Sequence, residues 1–455
     1  MIHRREDGSA VIVTMLIGFV LAMVATTLLA TSIREVQASG RSTRRGAAFA
    51  AAEAGLDDYI AKLTEDHQYY AHVVHPAEST RLRSGGVRVA AGQTWNGTNT
   101  WTYPDGKDAW RSLGNGYEYN LEVQAPRAGV PQVRIIATGR RAGSTNEWRA
   151  VEAMVRPASI ADFQMIANRD IAYGSTASTY GKLYAGIDEN GVRHNINHDG
   201  TAYANVHAEN NVTGSTDYRS GAREYDRNTI RSVIKNPINF NTFTGSLVDL
   251  QRTAGIAGIT LNQSGTAAWE LTFNSTGTVT IRRCPTSGNP NPVGQTRPTC
   301  SAYGTFAVPT NGAIYSAQTV IVSGAVRGRA TVASNADVVV GGNLTYVEPG
   351  VDVLGLIARN EMLVPRWSPN TLSWSAATIA ISGAWRSYDS SQSKSTMNFT
   401  GSTATNLGGY MSMFATRNYL YDTNLLFLQP PYFPVLEEAY TVLFFREVDP
   451  DTSAS

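Results

Sequence analysis

The densest grouping of residues able to do chemistry is His194, His198 and His207 with Asp188, Glu189 and Asp199. Imidazole nitrogens and carboxylates at close spacing are metal donors. Asp188, Glu189 and Asn190 alone offer loop oxygens of the kind Ca²⁺ takes, whereas zinc needs a rigid, closed ligand set. Paired carboxylates also serve glycoside hydrolysis as acid and base, and Asp188 and Asp199 are the candidates for that role. The simpler reading is a polar turn, and on it no metal and no cofactor is expected. Ser391 and Lys394 match S-x-x-K without the Ser-Asp-Asn or Lys-Thr-Gly that accompanies it in catalysis. The sequence contains no HExxH, GxxxxGK[ST] or GxSxG, and no GxGxxG between a strand and a helix. Tyr173, Tyr180, Tyr184 and Tyr203 offer ring faces for stacking on sugars, or equally fill a core. The expectation is a protein that is not an enzyme.

Cys284 and Cys300 are the two cysteines, and the Pro/Gly-rich segment between them has no apolar periodicity to hold it. A disulfide across it would stabilise by about 3 kcal/mol in the chain-entropy model, and it fits an oxidising compartment. Two unrelated thiols are the alternative. A zinc site would need two further ligands nearby, and none stands out.

The elements that must carry these residues are short. Of 455 residues, 42% are hydrophobic but only 16% charged, and Gly, Ser, Thr and Asn are abundant, which favours strands and turns over charged helices. The length exceeds what one core usually organises, so two or three units are expected. A net charge of +1 provides no field for nucleic acid, and no nucleic-acid partner is expected.

The N-terminus differs. No charge occurs from Gly8 through Ile33, and residues 10–30 are long enough to cross a bilayer as a helix. Arginines flank the run on both sides, so charge alone does not set its orientation. A polar β domain with a disulfide belongs outside, which makes the chain a single-pass membrane protein with an extracellular or cell-surface C-terminal domain. An apolar stripe through Ala47, Ala51, Ala54, Tyr59 and Leu63 extends the helix; continuous from 10 to 63, it would reach on the order of 80 Å. Gly40, Gly46 and Gly55 weaken it locally.

The stretch Glu6-Asp-Gly-Ser-Ala10, the apolar run, and Arg45-Gly-Ala-Ala-Phe-Ala-Ala-Ala-Glu-Ala-Gly-Leu56 resemble the N-terminus of minor pilins of the PilX type. The resemblance implies processing by a prepilin peptidase between Gly8 and Ser9. It also implies helix packing by Val11, Leu16, Val20, Leu21 and Leu28 against other pilin-like subunits. Val13 stands where major pilins carry a glutamate.

Residues 116–124, 132–139 and 147–156 alternate at period 2 around an Ala142–Asn146 turn, the pattern of an antiparallel sheet. From 158 to 416 the reading is repeated short strands without helices. Val320-Ile-Val322, Ala330-Thr-Val332 and Val338-Val-Val340 recur near every ten residues, as rungs of a β-helix or solenoid. Met165-Ile-Ala167 echoes Leu356-Ile-Ala358, and Gly181-Lys-Leu-Tyr184 echoes Gly312-Ala-Ile-Tyr315, as corresponding rungs around an insertion at 215–305. Residues 312–364 and the later Pro430-Pro-Tyr-Phe-Pro434 resemble a family of uncharacterised bacterial β-helical surface domains that follow PilX-type anchors.

The expected fold class is mainly β: a long N-terminal transmembrane and extended helix (1–63), a small antiparallel sheet (64–157), a β-helix or solenoid-like domain (158–416) and a C-terminal strand or cap (417–455). The expected function is a minor pilin-like component of a type IV pilus or related secretion filament, displaying a β-rich domain for assembly or adhesion. Its partners would be other pilin-like subunits, the membrane and a surface glycan or protein ligand. The alternatives are a stand-alone membrane-anchored surface binding protein and, behind it, a polysaccharide-active β-helix enzyme.

Overall fold

The computed structural model describes residues 7–65, 100–103, 110–124, 132–144, 146–287, 294 and 296–450. Helix α1 runs Asp7–Glu65. Its last turns carry Ala52, Leu56, Tyr59 and Leu63 on one face. That face packs on Leu121, Val123, Val133, Ile135, Ala137, Val151, Ala153 and Val155 of an antiparallel sheet. The sheet order is Thr100–Tyr103, Tyr117–Gln124, Val133–Arg141, Arg149–Ser159, Val435–Val448, with Arg111–Ser112 paired beside the second strand. Along Val133–Arg141 burial alternates as period-2 patterning requires: one set of side chains meets α1, the other faces out. The C-terminal strand thus rejoins the small sheet.

Two glycines set the depth of this contact. A Cβ at Gly139 would lie 2.1 Å from the Ala48 carbonyl oxygen and 2.5 Å from the Ala52 nitrogen. A Cβ at Gly55 would lie 2.4 Å from the Tyr119 ring. Gly55 weakens the helix as an isolated segment and seats it on the sheet.

The expected fold class is corrected on one point. The chain is mainly β, but among the described residues no helix is long and apolar enough to cross a membrane. The expected transmembrane helix is corrected on that finding. Glu35, Gln37, Ser39, Arg41, Ser42, Thr43 and Arg45 stand in solvent on α1, beyond the 10–30 stretch read as a span. The side chains of Gly8, Ser9, Val11, Leu16, Val20, Leu21 and Leu28 lie outside the described residues, as does the connection at 66–99.

Beyond Ser159 the chain coils, each turn hydrogen-bonded in parallel to the next. One ladder runs through Ile259–Leu261, Ala313–Ser316, Arg329–Ser334, Val353–Ala358, the end of Thr371–Ala380 and the end of Lys394–Thr405. It continues into Phe163–Ala167, Lys182–Ala185, Val206–Ala208 and Glu224–Tyr225. At a strand spacing of about 4.8 Å the stack is roughly 40 Å tall. Val320 pairs with Val338, whereas Ala330 and Val332 belong to the neighbouring ladder. The ten-residue spacing of the apolar triplets is therefore a step between faces, not a full turn.

Stack order is not chain order. The turns that start at Phe163 wind away to Tyr225. The chain then crosses to the far end and winds back from Ile259 until Lys394–Thr405 lies against Phe163–Ala167. The crossing contains helix α2, Phe243–Ala257, which corrects the expectation of no helices in this region. Phe243, Leu247, Leu250 and Ala254 fall on one face at helical spacing and pack on the outside of the first ladder, against residues such as Ala313, Tyr315 and Ile357. The loop with Tyr421, Leu425 and Phe433 covers the same side. That ladder is buried inside and out, so Val353–Ala358 reads as an unbroken apolar run. The expected insertion at 215–305 resolves into this crossing and an antiparallel extension, Thr266–Asn274, Thr278–Pro285 and Ser301–Ala307. The Cys284–Cys300 disulfide joins the second of these strands to the residue just before the third, packed with Ala268, Ile321, Val339 and Leu363.

The internal echo has a register. Ile357 pairs with Ile379, Ile379 with Ala404, Ala404 with Ile166 and Ile166 with Tyr184. Ile357 and Ile166 thus stand in one column, and Tyr315 heads the same column through Ala333.

Candidate functional site

The histidine and carboxylate grouping separates into different environments. Asp188 Oδ1 accepts from the backbone nitrogens of Asn190 (3.0 Å) and Val192 (2.9 Å), and Oδ2 accepts from Arg169 Nη1 at 2.7 Å. His194 bridges two carboxylates: Nδ1 lies 3.1 Å from Asp170 Oδ1 and Nε2 lies 3.4 Å from Asp188 Oδ2. The Val192 N–H holds the Asp188 carboxyl below its usual range, and the Asn195 N–H does the same for Asp170. Glu189 faces Arg169. Asp199 is tied separately, accepting from the Ser215 nitrogen at 3.1 Å. Among the described residues no group of three or more His, Cys, Asp or Glu is placed to hold a metal ion. These carboxylates are occupied by protein donors and stitch the corners of successive turns.

His198 and His207 are buried. His198 Nδ1 accepts from the Gly200 nitrogen at 3.2 Å, and Nε2 lies 3.1 Å from Thr179 Oγ1. His207 Nδ1 lies 3.0 Å from the Leu183 carbonyl oxygen, and its ring stacks on Tyr225 at 5.2 Å. Burial pulls His207 down from 6.5 to about 4, and pulls His198 in the same direction. Between those values the unfolded chain binds a proton that the folded chain refuses. The stability from a neutral His207 is thus complete above about pH 6.5 and lost as pH falls toward 4, a difference of roughly 3 kcal/mol. Urea unfolding at pH 7 and pH 4.5 should show that loss, and His207→Phe should flatten it. Equal pH slopes for the two proteins would remove His207 from the account.

The tyrosines divide as well. Tyr184 is buried, its hydroxyl donating to Glu209 Oε1 at 2.7 Å and accepting from the Ile238 nitrogen at 3.0 Å, while Arg231 pairs with the same carboxylate. This group ties the crossing to the coil. Tyr180 and Tyr203 stack on each other at 4.8 Å and 7°, both exposed.

The site that sequence reasoning missed lies where the two halves of the coil meet. One ladder crosses that junction, through Thr403, Ala404 and Thr405 on Met165, Ile166 and Ala167. Among the described residues the other two do not: Gly409–Tyr410 does not pair with Ile171–Tyr173, nor Phe414–Leu420 with Ser178–Thr179. The turns splay there and leave a cleft of about 330 Å³ lined by Gln164, Tyr173, Trp385, Phe399, Arg417 and Tyr419 among others. Trp385 and Phe399 rings sit 5.3 Å apart, and Trp385 lies 5.9 Å from Tyr419. Burial pushes the Tyr419 phenol up to about 12, and pushes up Tyr173, with the facing Tyr419 phenol adding to it. Gln164 and Trp385 are each 4% exposed, yet Gln164 Nε2 and Trp385 Nε1 meet no hydrogen-bond partner. Nothing in the sequence marks this cleft, because it joins residues more than two hundred positions apart.

No known family model and no curated protein sequence matches the chain. Among solved structures it is similar to the competence-associated pilin ComZ from Thermus thermophilus, at 12% identity and a TM-score of 0.32, over 89% of this chain and 98% of that one. A likeness at that TM-score carries no argument about fold or function.

Proposed function

We propose that the chain is a minor pilin-like subunit of a type IV pilus or related secretion filament, displaying its coil at the cell surface for assembly or adhesion. The observation that carries this reading is the state of α1. Its last turns are docked on the sheet, while earlier in the same helix Phe19 and Met23 stand 64% and 56% exposed. Large apolar side chains projecting from a 59-residue helix need a cover, and neighbouring helices of the same kind supply it. The PilX-like residues from Glu6 to Leu56 support the same reading, with Gly8 and Ser9 flanking the processed bond. The coil is proposed to act without catalysis, since Asp188 and Asp199 are each held by protein donors in their own turns.

Peptide mass spectrometry of the native N-terminus, in sheared surface filaments and in cell bodies, tests the reading. A chain beginning at Ser9 and enriched in the filament fraction is expected. A chain absent from filaments, whatever its first residue, would overturn it.

A further inference from the structure

We infer that the junction cleft binds an extended peptide strand of a partner protein, which stands in for the rungs missing there. The inference concerns the coil alone and does not depend on filament assembly. Both walls of the cleft end in open strand edges. On one side Phe414–Leu420 pairs with Lys394–Thr405 and Gly409–Tyr410 with Trp385–Ser387; among the described residues neither has a strand on its other edge. On the other side Ile171–Tyr173 and Ser178–Thr179 pair only with Ile196–His198 and Thr201–Ala202. The direction of the free groups can be read at one residue. The Ile171 N–H donates to the Asn195 carbonyl at 3.0 Å, and the Tyr173 carbonyl accepts from the Asp199 N–H at 2.9 Å. Those two residues turn their backbones to the next strand. Ala172, between them, turns its N–H and C=O the other way, toward the cleft it lines.

A strand edge with unpaired N–H and C=O groups is a template for another strand. An extended chain supplies acceptors and donors at the matching spacing, and strand addition at a sheet edge is a general mode of peptide recognition. The side chains of the lining agree. Arg417 and Asp170 place one charge of each sign there, so the cleft selects no net charge. Met165, Ile171, Trp385, Phe399 and Met411 give it an apolar floor. A strand sends alternate side chains to opposite faces, so the peptide that fits is apolar at every second position and polar between. The continuous ladder, Thr403–Thr405 on Met165–Ala167, holds the two walls together along one side. The volume, about 330 Å³, lies at the small end of the range for ligand pockets and admits a short strand.

The probe is the end-blocked, fluorescein-labelled hexapeptide Ser-Thr-Met-Asn-Phe-Thr, the sequence of residues 395–400, which alternates in this way and already pairs with Phe414–Leu420 along the opposite edge. Fluorescence anisotropy with the full chain should show saturable binding. The same peptide N-methylated at alternate residues keeps its side chains but cannot pair along one edge, and should bind at least about tenfold more weakly. Ala172→Pro removes an N–H that Ile196–His198 does not use, a change that edge strands accept, and should weaken binding by a similar factor with the melting temperature unchanged. Bound peptide should slow hydrogen exchange over residues 171–173 and 414–420 by about tenfold or more. Should Ala172→Pro melt early, the N-methylated peptide decides the matter. No binding, equal binding of the N-methylated peptide, or unchanged exchange in those two segments would each overturn the proposal. So would slowing of the same exchange by raised protein concentration alone, which assigns the edges to a second copy, or by cellobiose, which assigns the cleft to a glycan.

Discussion

Asp162→Asn should destabilise the protein by about 3–5 kcal/mol, the loss seen when a buried ion pair loses one partner. Arg156 and Asp162 are 1% and 3% exposed and pair through both guanidinium nitrogens. Arg156 ends the sheet, Asp162 begins the coil, and Arg156 also donates to the Leu426 and Pro157 carbonyls. Three segments thus converge on one charge. Asparagine can keep the oxygen that accepts from the Ser159 nitrogen (2.9 Å), but it removes the negative charge and turns the oxygen facing Arg156 Nη2 into an N–H donor. The arginine would then be buried without a counter-ion. Adding Arg156→Met should recover much of the loss, because removing both charges leaves nothing uncompensated. Guanidinium unfolding of the parent, the single and the double variant reads all three. The single variant should also melt in two steps, as the joint between sheet and coil loosens. A single variant as stable as the parent would show that the pair does not hold the joint.

Gly139→Val should have the second large effect. The added Cβ would sit within 2.1 Å of backbone on α1, which cannot rotate away as a side chain tip would. The helix must lift as a body or the strand must bend, at the upper end of the overpacking range, about 3 kcal/mol. Gly46→Ala is the matched opposite: a Cβ at Gly46 meets nothing within 4 Å, and alanine should strengthen the helix by about 1 kcal/mol. Hydrogen exchange over residues 47–63 separates the outcomes, faster in Gly139→Val and slower in Gly46→Ala. If Gly139→Val left that exchange unchanged, the close helix–sheet approach would not matter for docking.

Much of the local structure was legible because it rests on local physics. Alternation over 132–139 marked a half-buried strand, and the observed Val133–Arg141 keeps the same alternation. Leu356-Ile-Ala358 and Met165-Ile-Ala167 matched because they fill the same column of the coil. Other features were not legible. Helix α2 did leave a signal, Phe243, Leu247, Leu250 and Ala254 at helical spacing, masked by the strand-rich text around it. His198 and His207 were grouped with Asp188 by proximity in sequence, yet a coil sends neighbours to different faces, and both rings point into packed surroundings. The membrane-crossing helix was read from composition over 10–30, whereas among the described residues no helix is long and apolar enough to cross a membrane. The cleft left no trace because it is made by the order in which turns stack.

That order also governs how the protein bears load. A coil wound simply from first residue to last has two loose ends, and traction on either peels it turn by turn. Here the outermost turns, at Glu224–Tyr225 and Ile259–Leu261, are tied to each other by the crossing. The chain enters at Ser159 and leaves toward Val435, two residues directly paired in the sheet. Tension arriving along α1 passes into those side-by-side strands and reaches the coil at mid-height, where no end is free to unravel. The outer turns hang as closed loops outside the line of force, so the coil can be dragged without being unwound.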